Sequence, residues 1–204
     1  MVTLLSVCGS LQQRSANRAA LEVAHRHLAS LAVGGPFTLD EYGEVALLPP
    51  LDVDPDREPG PVVEGWRRRL GAADAVLVAA PEYGGGLAGT MKNALDWVVG
   101  TGELYGKPVA IISAGTSGGV FARRNLVQTL TWQGAHVVAQ LGIAAPRTKA
   151  DASGAFTEAA TIEAIRALVD VLVAAPTMPA DRRLALVRAI VSEAGVDAAH
   201  IAPV

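Results

Sequence analysis

The strongest constraint on this chain is the alternation of short apolar runs with longer stretches of helical period. Val2–Cys8, Ala75–Ala80, Pro108–Ser113 and His136–Leu141 are compact apolar runs, and the first ends at Gly9-Ser10. Runs of this length read as strands buried on both faces. Phe37–Tyr42 is more polar and reads as an edge strand. Between the strands, Ala16–Leu31 places Ala20, Leu21, Ala24, Leu28 and Leu31 at helical spacing. Val62–Leu70, Ala88–Val98, Gly118–Gln133 and Thr157–Val173 are the further helices expected. Strands separated by helices pair in parallel through right-handed crossovers, so the fold expected is a three-layer α/β sandwich. Hydrophobic residues are 50% of the chain and aromatics only 4%, so the core must be built from Ala, Val, Leu and Ile.

The remaining segments set boundaries. Leu48–Pro61 holds five of the 12 prolines and reads as an irregular surface loop. Arg67, Arg68 and Arg69 read as a solvated helix face, and His25 and His27 as surface residues of the first helix. Beyond residue 178, Leu184, Val187, Val191 and Ala194 form a helical stripe widened by Leu186 and Ile190. We divide the chain into a main domain, 1–178, and a C-terminal helical extension, 179–204. The stripe must be covered by its own domain or by a second subunit, and a homodimer or homotetramer is expected.

Charge and cysteine content narrow the function. A net charge of -3 gives no reason for a nucleic-acid or anionic-membrane partner. Cys8 is the single cysteine, which forbids an internal disulfide and a Cys-based zinc site, so no metal is expected. A reducing cytoplasm is the expected location. No basic segment precedes Val2–Cys8, and the uncharged stretch Asn125–Pro146 carries Gln128, Gln133, His136 and Gln140, so neither export nor membrane insertion is expected.

Ligands of open α/β sheets bind beyond the carboxyl ends of the strands. The search therefore narrows to Gly9–Ser15, Pro81–Gly89 and Ser113–Gly119. In the first loop Ser10, Arg14, Ser15 and Asn17 surround a helix start, whose free N–H groups suit a phosphate. The other reading is that Ser15 caps the helix and Asn17 faces water. In the second, Gly84-Gly85-Gly86-Leu87-Ala88-Gly89 matches G-x-G-x-x-G, but the acid expected at the end of the following strand is missing. The glycines and Ala88 instead suit a flat backbone wall against a planar heterocycle. In the third, Gly115-Thr116-Ser117-Gly118-Gly119 matches the G-x-S-x-G nucleophile elbow. Its acid and histidine would have to be Asp170 and His200, at the very end of the chain. A backbone cradle at the following helix start is the alternative.

Together, Gly9-Ser10…Ser15-x-Asn17, Pro81-Glu82-Tyr83…Gly89-x-x-Lys92-Asn93-Ala94-Leu95-Asp96-Trp97 and Ser113-x-Gly115…Gly118-Gly119 resemble the NADPH-dependent FMN reductase family over about residues 2–173. The resemblance implies a flavodoxin-like fold with five parallel strands in the order 2-1-3-4-5. It also implies FMN held by Ser10, Gln12, Arg14, Ser15, Ala16 and Asn17 at the phosphate, with Pro81, Glu82, Tyr83, Gly84 and Gly85 along the ring. Ser113, Ala114, Gly115, Gly118 and Gly119 would sit near its N1/C2 carbonyl edge. The implied activity is electron transfer from NADPH or NADH through FMN to a small-molecule acceptor such as free flavin, a quinone, or a metal or azo compound. Such an enzyme needs no catalytic side chain of its own, because the cofactor carries the hydride chemistry. The alternatives are a flavin-binding electron carrier or regulator with low turnover, and a serine hydrolase using Ser117. The chain departs from the family pattern at Gln12, Gly84, Gly86, Ala88 and Phe121.

Overall fold

The computed structural model describes residues 2–32, 37–54 and 58–204. Five parallel strands form one sheet in the order β2-β1-β3-β6-β7, built from β1 (Val2–Cys8), β2 (Phe37–Tyr42), β3 (Ala75–Ala79), β6 (Pro108–Gly115) and β7 (His136–Ala144). This is the expected flavodoxin-like order. Helices α1 (Ala16–Ala32) and α5 (Ala159–Ala174) pack together against one face. On the other face lie α2 (Gly60–Ala72), α3 (Gly89–Asp96) and α4 (Val120–Trp132). They are tied in series, with Trp66 Nε1 donating to the Ala94 carbonyl (2.8 Å) and Gln133 Nε2 to that of Leu95 (3.1 Å). β3 is buried along its whole length, as a central strand covered by helices must be.

Several expectations need correcting. The strand run at 108–113 continues to Gly115, so Ser113, Ala114 and Gly115 are strand residues rather than loop. Helix α4 starts at Val120, because Gly118 and Gly119 take left-handed φ values of 74° and 61°. The second loop contains an unforeseen hairpin, β4 (Glu82–Tyr83) against β5 (Gly86–Leu87). Of the proline-rich loop 48–61, residues 55–57 lie outside the described residues and Gly60-Pro61 already belong to α2. Its first part is pinned to α3: Asn93 Nδ2 and Trp97 Nε1 donate to the Pro49 carbonyl, and Asn93 Oδ1 accepts from the Leu51 N–H.

Two of the three arginines are not a free face. Arg69 pairs with Asp40 of β2, and Arg67 donates twice to the Trp97 carbonyl (3.0 and 2.9 Å). His25 and His27 are mostly buried. His27 Nε2 meets Asp170 of α5 at 2.7 Å, while His25 bridges Glu41 and Ser6, each at 3.0 Å.

The C-terminal stripe is covered by the chain itself. Helix α6 (Ala180–Glu193) packs on the edge strand β7, with Val187 and Val191 fully buried. The tail then crosses the start of that strand, where buried His136 donates through Nε2 to the Ala202 carbonyl (2.8 Å) and Trp132 stacks on His200 at 4.0 Å. Burial pushes the His136 pKa down. Among the described residues, no helix is long and apolar enough to cross a membrane.

Candidate functional site

The first loop leaves β1 at Gly9, whose N–H donates to the Ala79 carbonyl (2.8 Å) and whose own carbonyl accepts from Thr90 Oγ1 (2.8 Å). A Cβ at this glycine would stand 3.0 Å from the Met91 Cβ, so the close approach of β1 to α3 requires it. The chain then turns outward. Leu11, Gln12, Gln13 and Arg14 are exposed, and among the described residues no acceptor meets the N–H groups of Leu11, Gln13, Arg14 and Ala16. Ser10 and Ser15 are buried beside them. Their hydroxyls accept from the N–H groups of Gln12 (3.4 Å) and Asn17 (3.2 Å) but donate to no protein acceptor. Ser15 therefore caps α1 and still offers a proton to a ligand. Arg14 has no ion-pair partner among the described residues. Free amides, two unspent hydroxyls and an unpaired guanidinium at a helix start are groups suited to a phosphate.

Asn17 acts differently from either expectation. Its side chain neither faces water nor opens toward an anion: Nδ2 donates to the Ala114 carbonyl (3.1 Å) and Oδ1 accepts from the Ala114 N–H (2.9 Å). This two-point clasp fastens the start of α1 to the end of β6.

In the second loop, Gly84 and Gly85 both have left-handed φ values, 57° and 73°, between the paired strand ends Tyr83 and Gly86. Two such residues in a two-residue hairpin have the signature of a type I′ turn, which accounts for the glycine run without any dinucleotide fingerprint. Tyr83 is exposed on one side of the hairpin. Glu82 reaches the other side, where its carboxylate accepts from the N–H groups of Phe121 (2.7 Å) and Ala122 (3.2 Å). Asn125 of α4 accepts in turn from the Leu87 N–H (3.2 Å).

The third loop is closed around itself. Ser113 Oγ donates to the Ala80 carbonyl (2.7 Å), and a Cβ on Gly119 would fall 1.8 Å from that Oγ. Arg123 Nε holds the Gly118 carbonyl (3.1 Å) while its NH1 holds Gln140 (3.0 Å). Gly119 is thus demanded by packing and Gly118 favoured by its left-handed φ of 74°, whereas a Cβ on Gly115 would meet open space. The expected cradle of α4 amides is already filled by Glu82. The elbow reading of Ser117 also fails, since no described histidine bonds to it: His136 is buried at the start of β7 and His200 stacks on Trp132. A Ser6–His25–Glu41 hydrogen-bonded series does exist, but Ser6 is sealed inside β1.

Leu11 and Gln12 of the first loop, Tyr83 of the second, and Ala88, Gly89 and Thr90 at the start of α3 line a cleft of about 440 Å³, which the third loop does not border. That volume lies in the range of small-ligand sites. A second groove, about 600 Å³, runs between α1 and α5 past the His27–Asp170 and Arg166–Glu163 ion pairs, on residues outside all three loops. The open phosphate seat and the adjoining cleft suit FMN.

Comparison with known proteins agrees. The sequence model of the NADPH-dependent FMN reductase family matches residues 2–150. An NAD(P)H-dependent FMN reductase of Pseudomonas aeruginosa is 35% identical over 145 residues, covering 66% of this chain and 72% of that protein. An NAD(P)H:quinone oxidoreductase of Solanum tuberosum is 29% identical over 181 residues, covering 83% and 90%. Among solved structures, the flavoenzyme FerB, an NAD(P)H:(acceptor) oxidoreductase of Paracoccus denitrificans, superposes with a TM-score of 0.67 at 24% identity over 94% of this chain and 98% of its own. The chain belongs to the NADPH-dependent FMN reductase family.

Proposed function

We propose that this chain is an FMN-dependent oxidoreductase that passes electrons from NADPH or NADH to a quinone or to free flavin. The observation that carries the reading is the start of α1, where, among the described residues, four main-chain N–H groups and the Ser10 and Ser15 hydroxyls stand without acceptors beside a ligand-sized cleft. In this reading Ser10, Gln12, Arg14, Ser15 and Ala16 hold the phosphate, and Asn17 fixes the loop through Ala114 rather than by touching the ligand. Pro81, Tyr83, Gly84 and Gly85 form the surface against which the ring rests, while Glu82 points away from it and ties the hairpin to α4. Ser113, Ala114, Gly115, Gly118 and Gly119 stand outside the cleft and serve the ligand indirectly, by holding the first loop in place through the Asn17–Ala114 clasp.

FMN when bound supplies the two-electron chemistry that no side chain here can perform. The chain contributes position and charge. Arg14 and the α1 dipole balance the phosphate, and the glycine hairpin lets main chain approach the ring closely. Exposed Tyr83 and Leu11 give the cleft an apolar rim for a planar acceptor.

The proposal keeps residues 1–178 as the cofactor-binding part, braced at β7 by 179–204, and places the protein in the cytoplasm. It includes self-association, which now rests on exposed Leu11, Val120 and Phe121 rather than on the covered C-terminal stripe. Sedimentation as a monomer at micromolar concentration removes that part. The test of function is anaerobic mixing of the FMN-loaded protein with NADPH, then with a benzoquinone. Bleaching of the flavin band followed by its return supports the reading, binding without bleaching leaves a carrier, and no binding rejects both.

A further inference from the structure

Glu82 joins two loops that the chain separates widely. Successive side chains of a strand point to opposite faces, so Tyr83 looks toward the cleft while Glu82 looks toward α4. Helix α4 has no cap of its own, because Gly119 occupies the cap position without a side chain to offer. Its first-turn N–H groups and the positive end of its dipole would stand open. The Glu82 carboxylate, 39 residues earlier in the chain, takes the Phe121 and Ala122 N–H groups at 2.7 and 3.2 Å. Asn125 fastens the other strand of the same hairpin through the Leu87 N–H at 3.2 Å. Thus α4 grips both strands of the hairpin that forms one side of the cleft.

We propose that Glu82 is a positioning residue that locks the second and third loops together and, by setting a carboxylate on the α4 dipole, disfavours the reduced, more negative state of FMN. The proposal rests on the FMN reading of the site. Across the hairpin, a free helix start at this position would attract negative charge gained by a ring lying in the cleft; a start already holding a carboxylate does not. Anion attraction is thereby confined to the start of α1, where the phosphate sits.

The test compares the full chain with its Glu82→Gln and Glu82→Ala variants. FMN affinity is measured in the oxidised state by fluorescence titration, and in the reduced state through anaerobic spectroelectrochemistry. Gln keeps an acceptor oxygen for the two amides and loses the charge. Its oxidised FMN affinity should stay within about threefold of wild type, while the reduced form gains about tenfold relative to the oxidised. For a two-electron couple that is a rise of about 30 mV in midpoint potential. Ala opens the helix start and frees the hairpin, and oxidised FMN affinity should fall by about tenfold. An unchanged ratio of reduced to oxidised affinity in the Gln variant overturns the proposal and leaves Glu82 as a structural cap, whatever becomes of the Ala variant's folding. Failure of the wild-type chain to bind FMN at all is the separate result that overturns the site reading, and the proposal with it.

Discussion

The β1–α1 and β6–α4 turns are built from the same materials and end in opposite states. Each carries glycine and serine between a buried strand and a helix, and each presents a helix start at the carboxyl edge of the sheet. At α1 the cap is local: Ser15 serves Asn17, and the neighbouring amides stay open. At α4 the cap is distant: Glu82 arrives from the hairpin and occupies the amides itself. A helix start is an anion site only while nothing else in the fold has claimed it. Glycine follows the same division, since Gly119 exists to clear Ser113 whereas Gly115 faces open space.

The largest expected effect tests the closed turn. Gly119→Ala places a Cβ 1.8 Å from Ser113 Oγ at a φ of 61°, and should cost about 3 kcal/mol or more in urea unfolding. A loss below about 1 kcal/mol would mean that the turn is looser than its packing implies. Ser15→Asp tests the open one. Asp caps helices as well as Ser does, so stability should hold, while a carboxylate against the phosphate should weaken FMN by about 100-fold. Equal affinity would place the phosphate elsewhere.

Arg14→Ala should weaken FMN by about tenfold, with the difference shrinking as salt rises and with melting temperature unaltered. A fall in stability instead would show that Arg14 serves the fold. The smallest effect is expected from Asp40→Asn, remote from both turns. Hydrogen bonding from Arg69 holds the Asp40 carboxyl below its ordinary pKa of 3.8, so the pair's contribution is present above that value and is lost as pH falls through the lower folded one. At a site about one-third exposed, the variant should lose about 0.5–1 kcal/mol at neutral pH, flatten the acid limb, and leave FMN affinity alone. A changed affinity would reveal coupling between the sheet edge and the site.

Much of this architecture is visible in local patterns. Apolar runs such as Val2–Cys8 and Ala75–Ala79 can only be buried strands, and the helices between them force parallel pairing. Smaller features escape for definite reasons. Strands of two residues are too short to show alternation, so the hairpin left only its Gly84-Gly85 turn as a signal. Arg67 and Arg69 look solvated because their partners, the Trp97 carbonyl and Asp40, lie about 30 positions away. Asn17 meets Ala114 across 97 positions, with nothing nearby in the chain to announce it.

The amino-acid sequence by itself determined the succession of buried strands and main helices, the edge of the sheet on which the search for a site centres, and the residue types gathered there. Hydrophobic period and turn chemistry act over a few neighbours, so they can be read along the chain. Tertiary structure alone decided which helix start remains open and which is sealed, and whether a polar side chain serves the ligand or the fold. Unpaired amides are satisfied by whatever group packing brings within about 3 Å, and that group belongs to another part of the chain.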